Sequence, residues 1–285
     1  MTINKKYAAL FLLTAVVVAV FWPLLKGKAL LHTGLIYTDL WLFNYPIKDW
    51  YRGMLMLGQL PFWTSLIGNG YPMLAEGQMG ALYPWHLLLF RLFPTLLAFN
   101  LNIMLHFLLA GLFTFWFSHI SLKMSVRAAL LSAFAFIFSG YFVLHIHQIN
   151  ILMVITYLPL SLFLAEKLVK LKMRYLPLMA VTFVMQILAG NIEMFYYSLL
   201  ITLLYLVLLI IFSPPAESQT GKKNYPVPES PTFQGGDEWW SSWGFRYGVS
   251  DFKLKKPRLL SRGVLTGYFL IALIWVILVC NQIYC

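Results

Sequence analysis

The chain has 285 residues, 60% of them hydrophobic and only 11% charged, with a formal net charge of +11. A soluble domain carries about 25% charged residues, so this chain has too little charge to cover a water-facing surface and the bilayer is its natural solvent. The basic residues sit at the ends of apolar runs, as in a membrane topology signal, and form no continuous stripe that would argue for nucleic acid as a partner.

The N-terminal Lys5-Lys6 precedes an apolar run, 7–25. Its charge order is that of a signal sequence, but it is too long for a typical apolar core of one and no A-x-A cleavage site follows, so it reads as an uncleaved first span. A helix rises about 1.5 Å per residue and a bilayer core of about 30 Å needs about 20 apolar residues. The remaining candidates are 97–118, 127–145, 150–168, 174–190, 193–212 and 264–281. The expected fold class is therefore all-α: a polytopic membrane protein with about seven transmembrane helices. The fifth and sixth form a tight helical hairpin around Gly190-Asn191.

The long first loop, 26–96, is expected to carry surface helices. Asn44 to Leu57 mixes apolar and charged residues, with Pro46 near its start and Gly58 at its end, the punctuation of a helix. Such mixed faces suit a helix lying along the membrane surface. A second helix is expected from Gly80 to Phe93, interrupted or kinked at Pro84. The chain then divides into a membrane module, 1–212, a linker, 213–263, and a last helix, 264–285. Within the linker, Ser213 to Gly236 is rich in Pro, Ser, Gly and Gln and reads as disordered. Trp239, Trp240, Trp243, Phe245 and Tyr247 then precede a basic tail, which suits either an anionic leaflet or a plain linker. Cys280 and Cys285 are the only cysteines and have no zinc or thiol-redox spacing.

Placing the N-terminus in the cytoplasm puts Lys123, Arg127, Lys167, Lys170, Lys172, Arg174 and the basic residues of the linker inside. Lys26, Lys28, Lys48, Arg52 and Arg91 remain outside. That distribution predicts a multi-pass protein of the cell membrane with a cytoplasmic N-terminus.

On the outer side lie the acids Asp39, Asp49, Glu76 and Glu193, with His145, His147, Gln148, Asn150 and Asn191 as neighbours. Polar groups gathered at the ends of several spans line a water-filled site more often than they face lipid. Asp39 has the chemistry of a general base for a hydroxyl acceptor, or of a helix cap. Asp49 and Arg52, three apart, are expected to form a surface ion pair. Arg52, Lys48 and Arg91 defy the positive-inside pattern and suit a lipid phosphate or ordinary headgroups.

Glu76 lies in Ala75-Glu76-Gly77-Gln78, between Gly70-Tyr71-Pro72 and Tyr83-Pro84. Glycines allow close backbone approach and prolines fix bends, so the stretch reads as a rigid wall beside a site. Glu76 suits a second acid, a metal ligand or a sugar-hydroxyl acceptor, and Gln78 and Asn69 suit sugar hydroxyls. A polar headgroup-level loop would look the same. His145 and His147 do not share a helix face, but could hold one divalent metal ion with Asp39 or Glu193 if the helix has ended. That ion is the one cofactor these residues suggest. His106 and His119 read as hydrogen-bonded packing residues. Glu193 beside Asn191 would orient a substrate or cap the sixth span.

The order Asp39, Pro46, Gly58-Gln59-Leu60-Pro61-Phe62-Trp63, Gly68-Asn69-Gly70-Tyr71-Pro72, Glu76-Gly77-Gln78 and Tyr83-Pro84 resembles the bacterial YfhO-like membrane proteins. These are related to the GT-C class of glycosyltransferases. The resemblance covers roughly the first 200 residues. It implies transfer of a sugar from a polyprenyl-phosphate donor to an extracytoplasmic acceptor: a cell-envelope polymer, a lipid or a protein. Asp39 stands at the place of the acid that serves the reaction, with Glu76 beside it as a second catalytic candidate. Asn69, Tyr71, Gln78, Arg52, Arg91, His145, His147, Asn191 and Glu193 would bind substrate, and membrane lipids would surround the whole. Family members are usually longer, so the chain reads as a truncated or divergent product. Two rival readings are a transporter or flippase for a lipid-linked substrate and a non-catalytic truncated membrane protein. The absence of acids and bases at mid-depth of the spans disfavours the transporter.

Overall fold

The computed structural model describes residues 5–26, 40–170 and 173–212. Asp39, Lys28, the linker 213–263 with its aromatic cluster, and the expected span 264–281 with Cys280 and Cys285 lie outside the described residues. Among those described, every regular element is a helix. We number them α1 (Lys5–Val20), α2 (Tyr45–Met56), α3 (Pro84–Leu92), α4 (Thr95–Ser121), α5 (Val126–His147), α6 (Ile149–Val169), α7 (Met173–Leu188) and α8 (Ile192–Phe212).

Four of these, α4, α5, α6 and α8, are long and apolar enough to cross a membrane. α7 is a shorter apolar helix at the place of the expected span 174–190. The first apolar run, 7–25, is divided: α1 ends at Val20 and a single turn, Trp22–Leu25, follows with Pro23 near its start.

The helix ends follow local chemistry. Pro46 and Pro84 stand in the first turns of α2 and α3, where a missing N–H costs nothing. Ser125 caps α5 by accepting from Ala128 N at 3.3 Å. Within α5, Ser139 Oγ accepts from Phe142 N at 3.3 Å, restarting the helix after a break beyond Ile137. Asn191 Oδ1 accepts from Met194 N at 2.9 Å and opens α8. Each cap satisfies an N–H that the helix itself leaves unpaired.

The second surface helix departs from expectation. It begins at Pro84, not Gly80. Gly80 has φ +55°, a left-handed conformation, and Tyr83 is extended, the conformation that a following proline favours. Residues 80–83 are therefore a turn leading into the helix and not its first coil.

Small residues let the spans approach. Ala110 of α4 and Ala129 and Ala133 of α5 are fully enclosed, which allows close helix contact in lipid. A methyl group on Gly111 would stand 3.1 Å from Leu13 Cδ1, so α1 lies directly against α4. Phe107 fills the space between, with ring centroids 4.6 Å from Phe21 and 5.0 Å from Phe142. Deeper in the bundle, Gln186 of α7 donates from Nε2 to Val154 O at 3.1 Å and to Ser198 Oγ at 2.7 Å, joining α7, α6 and α8. Ser161 and Thr202 meet at 2.8 Å between α6 and α8.

Candidate functional site

Three connections share one end of the bundle: the segment 57–83, the α5–α6 junction at His145–Gln148 and the α7–α8 turn at Gly190-Asn191. The joint between the first and the last is a backbone contact. Gly190 has φ +92°, and a methyl group there would stand 2.3 Å from Gly77 O and 3.2 Å from Gln78 O. Gly80 also sits close, its missing Cβ 3.1 Å from Leu188 O. Two glycines thus let the shelf 76–80 lie flat on the end of α7. The α5 end joins them, because Tyr141 OH donates to Met194 Sδ at 3.4 Å. His145 stacks on Tyr141 with centroids 4.0 Å apart, and its Nδ1 lies 2.7 Å from Tyr141 O.

The shelf is held from below by a buried polar cluster. Lys48 of α2, expected to suit a lipid phosphate, is instead enclosed, 2% exposed, and pairs with no carboxylate among the described residues. Its Nζ donates to Met79 O and lies 2.8 Å from His86 Nδ1. Burial lowers its pKa to about 7. His86 of α3 is fully enclosed, and burial, then the Lys48 charge, push its pKa well down. His86 Nδ1 also lies 3.0 Å from Gly80 O. On the ring's other side, Asn102 Nδ2 is 3.1 Å from Nε2, and Asn102 Oδ1 is buried without a partner. A second set continues inward: His106 Nδ1 lies 2.7 Å from Asn102 O, His106 Nε2 lies 2.6 Å from Tyr83 OH, and Tyr83 OH lies 2.8 Å from Tyr157 OH. Trp85 Nε1 donates to Tyr157 OH at 3.2 Å.

The expected site residues fall into groups. Glu76 and Gln78 are on the shelf, beside the turn that carries Asn191 and Glu193. The Glu76 carboxylate accepts from Tyr71 OH and, at 3.3 Å, from Gln78 N. That hydrogen bond and the carboxylate's charge hold the Tyr71 phenol above its ordinary range. Glu193 accepts from Tyr197 OH at 2.9 Å, and Asn191, not Glu193, caps α8. His145 is buried, while His147 is partly exposed. Asn69 is exposed on the turn of the preceding hairpin.

Arg52 and Arg91 form a third group, and the expected Asp49–Arg52 pair is replaced there. Asp49 accepts from Thr95 Oγ1, the first residue of α4. Arg52 Nε donates to Phe93 O at 2.9 Å, and Arg91 donates to Leu55 O. Each arginine holds a carbonyl at the C-terminal end of the other's helix, where a cation is favoured. A competing partner at a helix end was closer than the i+3 neighbour. A guanidinium has five N–H donors, so each keeps capacity for an anion.

Among the described residues, no three His, Cys, Asp or Glu side chains gather as a metal ion would need. The His145–His147 metal reading gains no third ligand there, and no step below runs through a metal. Sequence reasoning missed the Lys48, His86 and Asn102 cluster. Its signal was present: Lys48 and Tyr51, Tyr83 and His86, and Asn102 and His106 recur at the three- and four-residue spacing of a single helix face. No protein-family model, curated protein or solved structure matches the chain.

Proposed function

We propose that the chain is an inverting membrane glycosyltransferase. It has seven spans and a cytoplasmic N-terminus, and it moves a sugar from a polyprenyl-phosphate donor to an extracytoplasmic acceptor. The observation that carries the reading is the backbone joint at Gly190, which sets the Glu76–Gln78 shelf beside Asn191 and Glu193, with Tyr141 and His145 adjoining. Acid and amide groups from two stretches of chain, with a phenol and an imidazole from a third, thus meet at one end of the apolar helices. Such a polar rim suits hydroxyl-rich substrate delivered by a lipid.

In this mechanism Asp39 takes the proton of the acceptor hydroxyl as its oxygen attacks the anomeric carbon. The bond from that carbon to the phosphate oxygen breaks, and the lipid phosphate leaves with the electron pair. Arg52 and Arg91 stabilise the leaving phosphate with the donors not spent on carbonyls. Glu76, oriented by Tyr71, and Gln78 hold sugar hydroxyls.

The test is transfer of radiolabelled hexose from a panel of polyprenyl-phosphate hexoses to cell-envelope acceptors by the purified protein in vesicles. Asp39→Asn is expected to abolish transfer while membrane insertion stays normal. Full activity of that variant removes Asp39 from the mechanism. Absence of transfer by the parent protein across the panel removes the glycosyltransferase reading.

A further inference from the structure

The sugar-transfer reading draws on the hairpin that precedes the shelf only through Asn69 and Tyr71, and the hairpin's outward face is unsuited to water. From Gly53 to Ala75 the sequence contains no charged residue. Leu57 is 73% exposed, Phe62 60%, Trp63 57% and Leu66 77%, with Ile67 and Tyr71 also exposed. This is not the exposure of a loose strand of chain. Thr64 and Tyr71 exchange both backbone hydrogen bonds, at 2.9 and 2.8 Å. Gly70 N donates to Ile67 O at 3.0 Å and Leu66 N to Thr64 Oγ1 at 3.2 Å. The Trp63 ring lies directly on Gly70, where a methyl group would stand 2.3 Å from Cζ2. Met73 buries the base of the hairpin. An ordered turn therefore holds large aromatic and aliphatic side chains outward.

We infer that this hairpin is seated in the bilayer interface, with Phe62, Leu66 and Ile67 among the acyl chains of the leaflet at its end of the bundle and Trp63 at the headgroup level. Phe and Leu favour the acyl boundary, and Trp and Tyr the headgroup level. Exposed apolar patches of this kind mark membrane or protein contacts. Neutrality over the whole segment favours lipid, since burying it among acyl chains removes no charge from water and offers none to a charged partner. The surroundings agree. Arg91, bonded to Leu55 O, brings the exposed Leu88 and Leu92 of α3 alongside Met56 and Leu57, extending the apolar surface. The two arginines stand at the hairpin's base, the level at which lipid phosphates lie above acyl chains.

The experiment places an environment-sensitive nitrobenzoxadiazole label on Leu66→Cys in a protein carrying Cys280→Ser and Cys285→Ser. Phe62→Cys serves as a second hairpin position and Gln78→Cys as the shelf reference. The full chain is reconstituted in phosphatidylcholine vesicles with iodide on both sides. Spin-labelled lipid with its nitroxide near the top of the acyl chain is expected to quench both hairpin labels at least twofold more than the shelf label. Iodide is expected to show the reverse order. Equal iodide quenching at hairpin and shelf, with no lipid quenching, places the hairpin in water and overturns the inference. Hairpin labels shielded from both quenchers mean that a second copy or another protein segment covers them, which overturns it too.

Discussion

The hairpin and the cluster beneath the shelf sort their side chains in opposite directions. Phe62, Trp63 and Leu66 point out, while Lys48, His86 and Asn102 are enclosed. In water the hydrophobic effect would drive the reverse arrangement. Next to lipid that drive is absent, and the constraint shifts to the interior, where each polar group must find a partner. Among the described residues Lys48 meets the constraint without an acid. It has a carbonyl and an imidazole, and it lies 5.5 Å from the Tyr51 ring centroid and 5.4 Å from that of Phe90. A buried cation so held is responsive to pH, whereas a neutral hairpin is not.

The largest expected effect comes from separating the two regions at the glycine joint. Gly190→Ala puts a methyl group against a backbone carbonyl in a left-handed conformation, so either the turn or the shelf must move. Strain of that kind costs about 3 kcal/mol. Hydrogen exchange is expected to speed up across 76–80 and 187–191, while the amides of Thr64 and Tyr71, paired with each other, keep their protection. Loss of protection in the hairpin as well would mean that the two regions fold as one unit.

A smaller effect is expected from pH. Burial lowers the Lys48 pKa from 10.5 to about 7. Between pH about 7 and 10.5 the unfolded chain holds a proton there that the folded chain does not, so stability rises with pH across that window. The slope approaches about 1.4 kcal/mol per pH unit for one full proton. Below pH 7 both states carry the proton and this contribution is flat. His86, pushed well below 6.5, acts with the same sign further down: stability falls as the unfolded ring protonates below pH 6.5. Lys48→Met is expected to flatten the alkaline slope in unfolding measurements. An unchanged slope would assign the response to another group.

The sequence made α4, α5, α6 and α8 legible because a run of about 20 apolar residues has few alternatives in a bilayer. It also made the surface helix 45–56 legible through Pro46 and Gly58, and the hairpin of α7 and α8 through Gly190-Asn191. The cluster was harder to read. Lys48 breaks the charge pattern, which marks it as unusual, but it donates to the Met79 carbonyl and its neighbour His86 lies against that of Gly80, and a backbone acceptor leaves no trace in residue type. Asp49 and Arg52 misled for a related reason: spacing permitted a pair, yet Thr95 and Phe93 offered partners from beyond the helix. The shelf's contact with Gly190 joins residues over a hundred apart, and only the need for glycine at a close approach hinted at it.

The smallest expected effect separates charge from polarity as the source of the pH response. Gln186 is as deeply buried as His86, but it is neutral and spans three helices through Val154 O and Ser198 Oγ. Ser198→Ala removes one of its two bonds and leaves the amide with the other. Interhelical hydrogen bonds in membranes are worth about 0.6 kcal/mol on average, and the loss here is expected to be of that order. It should also be the same at pH 6 and pH 9, because no group near it changes charge between the folded and unfolded chain in that range. The Lys48→Met variant, measured beside it, should differ from the parent by an amount that shrinks as pH rises. A pH-dependent cost for Ser198→Ala would mean that the amide core and the cationic cluster are coupled through α6, and that the response attributed to Lys48 belongs to the whole bundle.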